Sequence, residues 1–195
     1  AVIREGRVRF VAIGDAGEGN DAQYAVADVV EKVCSDQGCD FAIYLGDNFY
    51  DVGVDSVEDV QFIDKFERPY ENLDFPFYVA LGNHDYGGAG HLIDRPEPQV
   101  EYTQYSEKWI LPDRTHEFQK EHIQFLSLDT NALMWSSVWG GYDTQAEWVR
   151  QTIEDSGHLW KVAFGHHPYI SNGGHGVAGQ YDGLENVPVA SGLDV

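Results

Sequence analysis

The stretch FAIYLGDNFYDVGV, residues 41–54, passes from an unbroken apolar run into Gly46, Asp47, Asn48, Phe49 and Tyr50. Such a run bounded by a glycine reads as a buried strand. The shape of the following loop requires neither an aspartate nor a tyrosine, so both are candidates for holding something. The same design recurs on either side. RVRFVAIG (7–14) reads as a strand leading into DAGEGN, and FPFYVALG (75–82) reads as a strand leading into NHDYGGAG. WKVAFG (160–165) ends in HHPYISNGGHG, and HIQFLSLD (122–129) supplies a further strand.

Helices are expected between these strands. One spans about residues 20–36, capped by Asn20 or Asp21, with Ala22, Val26, Val29, Val30 and Val33 on one face. A second is placed at VEDVQFIDKFERPY (57–70). A third, TQAEWVRQTIEDS (144–156), opens on a capping box of Thr144 and Glu147. Residues 86–121, rich in Gly, Pro and charge, read as a long connection with one helical turn near YSEKW. Alternating strands and helices indicate a single α/β layered domain over residues 1–195, with a largely parallel sheet.

Composition narrows the chemistry. The 195 residues suit one well-buried domain. The net charge of -21, from 33 acidic against 12 basic side chains, opposes nucleic-acid binding. No apolar run approaches a membrane span, and the opening AVIREGRVRF is not read as a signal peptide. A small anionic substrate would need local positive charge, which bound metal ions supply where Lys and Arg are scarce. Cys34 and Cys39 match no zinc spacing; they either close a small disulfide or remain free thiols. A disulfide would favour an extracytoplasmic location.

Four strands end in Gly followed by a polar donor: Asp15, Asp47, the Asn83-His84-Asp85 run, and His166-His167. Carboxyl ends of neighbouring strands in an open α/β sheet converge on one crevice. Mixed oxygen and imidazole donors there suit Zn, Fe, Mn or Co, and two adjacent ions suit in-line displacement at phosphorus. Each ending alone is more often a turn or a structural histidine; four together favour a metal site.

The ordered series GDAG, GDNFY, GNHD and GHHP resembles the calcineurin-like metallophosphoesterases. GDNFY narrows the resemblance to the purple acid phosphatases, especially the small tartrate-resistant type, over residues 8–175. That resemblance implies an α/β/β/α sandwich of mixed sheets, and hydrolysis of a small phosphate ester by a dinuclear centre. Asp15 and Tyr50 would bind the first ion, Asp47 would bridge, and Asn83 and His166 would bind the second. The family pattern pairs Fe(III) with Fe(II), Zn or Mn. His84 and His175 would contact the phosphate and assist the leaving group. Asp85 is expected to orient His84, with Asn48 and His167 as supporting residues. Trp135, Trp139 and Tyr142 are expected to pack in core or loops.

The family's later Gly-His-x-His segment has no counterpart after His175, and His91, His116, His122 and His158 stand in the wrong places to substitute. The chain is therefore expected to lack C-terminal strands of the fold, and to be a poor phosphatase unless a further segment or second polypeptide completes the site. The alternatives are a phosphodiesterase or nucleotide hydrolase of the same superfamily, and a non-catalytic metal- or phosphate-binding protein.

Overall fold

The computed structural model describes residues 6–88, 92–139 and 142–168. Strands β1 (Phe10–Ile13), β2 (Phe41–Leu45), β3 (Phe77–Ala80) and β4 (Trp109–Ile110) form one parallel sheet in the order β1-β2-β3-β4. Strands β5 (His116–Lys120), β6 (Ile123–Ser127) and β7 (Trp160–Phe164) form a second, with β5-β6 antiparallel and β6-β7 parallel. The fold is thus α/β with two sheets, one of them mixed.

Period-two alternation along β2 sets the layers. Phe41 and Ile43 face the second sheet, where they cluster with Ala80, Phe125 and Phe164. Ala42 and Tyr44 face the opposite way, into a larger aromatic core with Phe66, Tyr70, Phe77 and Trp109. Both faces of β2 are buried, which explains its unbroken apolar run. Rings join the sheets directly: Phe41 lies edge-on to Phe125 at 5.3 Å, and Ser127 Oγ donates to the Val79 carbonyl at 3.2 Å. On the far side of the second sheet, Leu126 and Leu128 pack against Val149 of α5 (Tyr142–Asp155).

Helix α1 (Asp21–Gln37) crosses from β1 to β2. Asn20 caps it, its side-chain oxygen accepting from Gln23 N at 3.0 Å, and Gly38 ends it at φ 76°. The buried face differs from the expected one. Gln23, Ala27 and Cys34 are buried and Val30 packs on the core, while Val26, Val29 and Val33 are exposed. Two fixed points rotate the helix this way: the hydrogen-bonded Gln23 amide and a Cys34–Cys39 disulfide with a Cα–Cα distance of 5.0 Å.

Residues 57–70 do not form the expected regular helix. Asp59 accepts from the amides of Asp55 and Gln61 and holds a turn, and a π-helical turn, Ile63–Glu67, follows. Phe62, Phe66 and Tyr70, spaced four apart, still reach the core. The segment 86–121 is also more structured than expected. It contains α2 (Glu97–Tyr102), whose closing turns run into Tyr105 and Ser106 at the start of YSEKW, together with β4 and β5. Short helices α3 (Thr130–Met134) and α4 (Ser136–Trp139) follow β6.

Candidate metal centre

Asp15, Asp47 and His166 each follow the carboxyl end of a different strand, β1, β2 and β7. One donor atom from each lies within 4.8 Å of the others. Both aspartates sit in the left-handed region, at φ 55° and 53°, which turns the chain sharply at the sheet edge. Asp15 N donates to the Gly46 carbonyl at 3.1 Å, so the two loops are tied together. Glycine is required beside them. A Cβ on Gly46 would stand 2.7 Å from Gly82 N and 2.8 Å from His166 Cβ, and one on Gly82 would overlap Asp47 itself.

The Tyr50 hydroxyl stands between the carboxylates, 2.9 Å from Asp15 Oδ1 and 2.9 Å from Asp47 Oδ2. Burial, then the adjacent Asp47 and Asp15, push its pKa up, so it retains its proton in the metal-free protein. Burial works to raise the Asp47 pKa as well, but His166, the His84 amide and Tyr50 outweigh it and hold the carboxyl below its ordinary value.

Asn83 and His166 complete the cluster. Asn83 Nδ2 donates to the Gly88 carbonyl at 2.7 Å, which turns Oδ1 inward, 3.3 Å from His166 Nε2. His166 Nδ1 meets the Leu45 carbonyl at 3.0 Å and must carry a proton there, leaving Nε2 3.4 Å from Asp47 Oδ2. Three groups whose free lone pairs converge this way need a cation or a proton among them. In the metal-free state a proton serves: burial lowers the His166 pKa, but Asp47 more than reverses that and raises it. The donor set therefore fits a metal, whose binding would release protons.

His84 lies at the rim, its ring 4.3 Å from that of Tyr50 and its Nε2 4.0 Å from Asp47 Oδ2. Its Nδ1 is held by the Asp51 carbonyl at 2.6 Å. Asp85 therefore does not orient His84. It is fully buried and accepts from Gly82 N at 2.8 Å, Gln99 Nε2 at 2.9 Å and Asn48 N at 3.0 Å. Burial pushes its carboxyl up to about 6 against those donors. Its role is to join its own loop after β3 to the loop after β2 and to α2, because unpaired buried amides would each be costly. Asn48 is buried with it, Nδ2 donating to the Ala80 carbonyl at 2.9 Å. His167 Nδ1 points away from the cluster to Thr130 Oγ1 at 2.7 Å. Trp139 packs on Tyr86 at 5.4 Å, away from the donors. His175 lies outside the described residues.

Two supporting residues have no motif to announce them. Gln99 comes from α2 in the segment read as a connection, and Lys65 comes from the π-helical turn.

The family model described as calcineurin-like phosphoesterase matches residues 8–195. Among curated proteins, the rabbit (Oryctolagus cuniculus) tartrate-resistant acid phosphatase type 5 is 29% identical over 87% of this chain and 58% of its own length. Purple acid phosphatase 17 of Arabidopsis thaliana is 30% identical over 88% of this chain and 55% of its own length. The chain thus spans a little over half the length of these relatives. Among solved structures, GAP50, titled the anchor in the inner membrane complex of Plasmodium, superposes with a TM-score of 0.76 at 20% identity, over 96% of this chain and 64% of that one.

Proposed function

The chain belongs to the calcineurin-like phosphoesterase family, and from that premise we propose that its strand-end cluster is a dinuclear metal centre hydrolysing small phosphate monoesters. The observation that carries this reading is the convergence of Asp15, Asp47, Tyr50, Asn83 and His166 on one volume. Asp15 and Tyr50 would hold one ion, Asn83 and His166 the other, with Asp47 between. A phenol paired with carboxylates favours a hard trivalent ion, so Fe(III) is assigned beside Tyr50 and Fe(II), Zn or Mn beside His166. When bound, the ions supply Lewis acidity, lowering the pKa of water and drawing charge from phosphoryl oxygens.

The remaining roles fall to the chain's own groups. The Leu45 carbonyl fixes the His166 tautomer and leaves Nε2 free to bind. The Asp51 carbonyl holds His84 Nδ1–H, so a protonated His84 presents Nε2–H to a phosphoryl oxygen. His175 is assigned the proton given to the departing alkoxide. The substrate is a small phosphate ester rather than nucleic acid, in keeping with the net charge of -21. No described helix is long and apolar enough to cross a membrane. The Cys34–Cys39 disulfide supports an extracytoplasmic, oxidising location.

A second reading, metal or phosphate binding without turnover, draws on one point: a protein titled an anchor shares the fold. Hydrolysis of an aryl phosphate and of its diester analogue, with iron and zinc added and metal content measured in parallel, separates the readings. We expect the monoester to turn over faster. Faster diester turnover would reassign the substrate, and bound metal with neither ester hydrolysed would establish the second reading.

A further inference from the structure

We propose that Lys65 is a positioning residue for Tyr50, bracing the loop that sets the phenol between Asp15 and Asp47. The inference rests on Tyr50 serving as a ligand, and it adds a residue outside the strand-end motifs. The Lys65 ammonium donates to the Tyr50 carbonyl. Its stem lies flat on Gly19, where an added Cβ would stand 2.9 Å from Lys65 Cγ. The Lys65 carbonyl accepts from Gln23 Nε2 at 2.6 Å, and Gln23 Oε1 accepts from Gly19 N at 2.6 Å. One residue therefore touches the Tyr50 loop, the loop after Asp15 and the first turn of α1.

The surroundings favour a bracing role. Tyr50 N donates to the Gly17 carbonyl at 3.0 Å, so Lys65 and Gly17 grip the same residue from its two backbone ends. Gly17 itself has no room for a side chain against Asn48. Lys65 sits in the middle of the π-helical turn, closed by Arg68 N to the Ile63 carbonyl at 3.0 Å; turns of this kind are frequent at functional sites. Burial lowers the Lys65 pKa, opposed in part by its acidic neighbours Glu18, Asp51 and Asp59. A hydrogen bond from a charged donor to a fixed carbonyl is stronger than a neutral one, and it fixes the backbone beside Phe49, whose ring anchors the same loop in the core.

Two variants test the brace: Lys65→Met, which removes the donor, and Lys65→Gln, a milder change that keeps a polar head. In the metal-free protein, amide hydrogen exchange at Gly19, Tyr50 and Gly53 should quicken about tenfold in Lys65→Met, and less in Lys65→Gln. Exchange at Ile43 and Tyr44 in β2 should not change. Unchanged exchange at the three loop amides in both variants would overturn the brace, and Lys65→Gln decides if the Met variant does not fold. In the iron-loaded protein, the visible band from Tyr50 should weaken or move in Lys65→Met at equal iron content. An unchanged band beside quickened exchange would overturn the positioning role. A wild-type protein that takes up iron without any such band would sink the ligand assignment of Tyr50, while the exchange experiment still decides whether Lys65 braces the loop.

Discussion

Asp15, Asp47 and Tyr50 each stand at a fixed offset from a glycine ending an apolar run, so strand direction alone carries them to one sheet edge. In the fold a single hydroxyl meets both carboxylates at 2.9 Å. The role of Asp85 was not legible, since its partners Gln99 and Asn48 come from segments whose contact depends on tertiary packing. Lys65 was hidden for the same reason, being one lysine in an acidic chain with its partner fifteen residues away. Tyr50→Phe tests the role of this hydroxyl. The ring packs against His84 without its hydroxyl, so the variant should fold. Loaded with iron, it should lose the visible phenolate band that the wild type shows, read by absorption at matched iron content. A colourless, iron-replete wild type would refute the assignment.

At the scale of elements, periodicity located the long buried strands well and the short ones poorly. β2 reads clearly because both of its faces are buried, whereas β4 has only two residues and β5 alternates with exposed polar positions. The β5-β6 hairpin closes at Glu121 with φ 52°, a conformation no glycine or asparagine announced. In α1 the valines marked an apolar stripe, but polar anchoring at Gln23 and the disulfide at Cys34 chose the neighbouring face. β5 also carries a consequence for acid stability. His116 is buried there, neither ring nitrogen makes a hydrogen bond of normal geometry, and burial pushes its pKa down to about 4, only partly opposed by Asp113. The unfolded chain binds the proton near the ordinary pH of about 6.5, so stability is full above that pH and falls as pH drops through about 4. The total loss should reach about 3 kcal/mol. Urea titrations across this window should show the fall in wild type and a flatter profile in His116→Leu; identical profiles would contradict it.

For the whole molecule, two sheets share a core of rings and send their strand ends to the same edge, which is why residues from 15 to 166 meet. That convergence is a property of strand direction: β1, β2, β3 and β7 each deliver their carboxyl ends there, so one donor after each strand suffices. Fold class followed from the alternation of strands and helices, but the division into two sheets did not, because it depends on the antiparallel β5 that the pattern conceals. The metal centre proposed at this edge has Asp47 as its common donor. The most direct measurement is metal bound per chain after equilibration with iron and zinc and removal of free ions, compared between wild type and Asp47→Asn. Tightly held metal is expected in the wild type, with most of it lost in the variant. Equal metal content in the two folded proteins would contradict it.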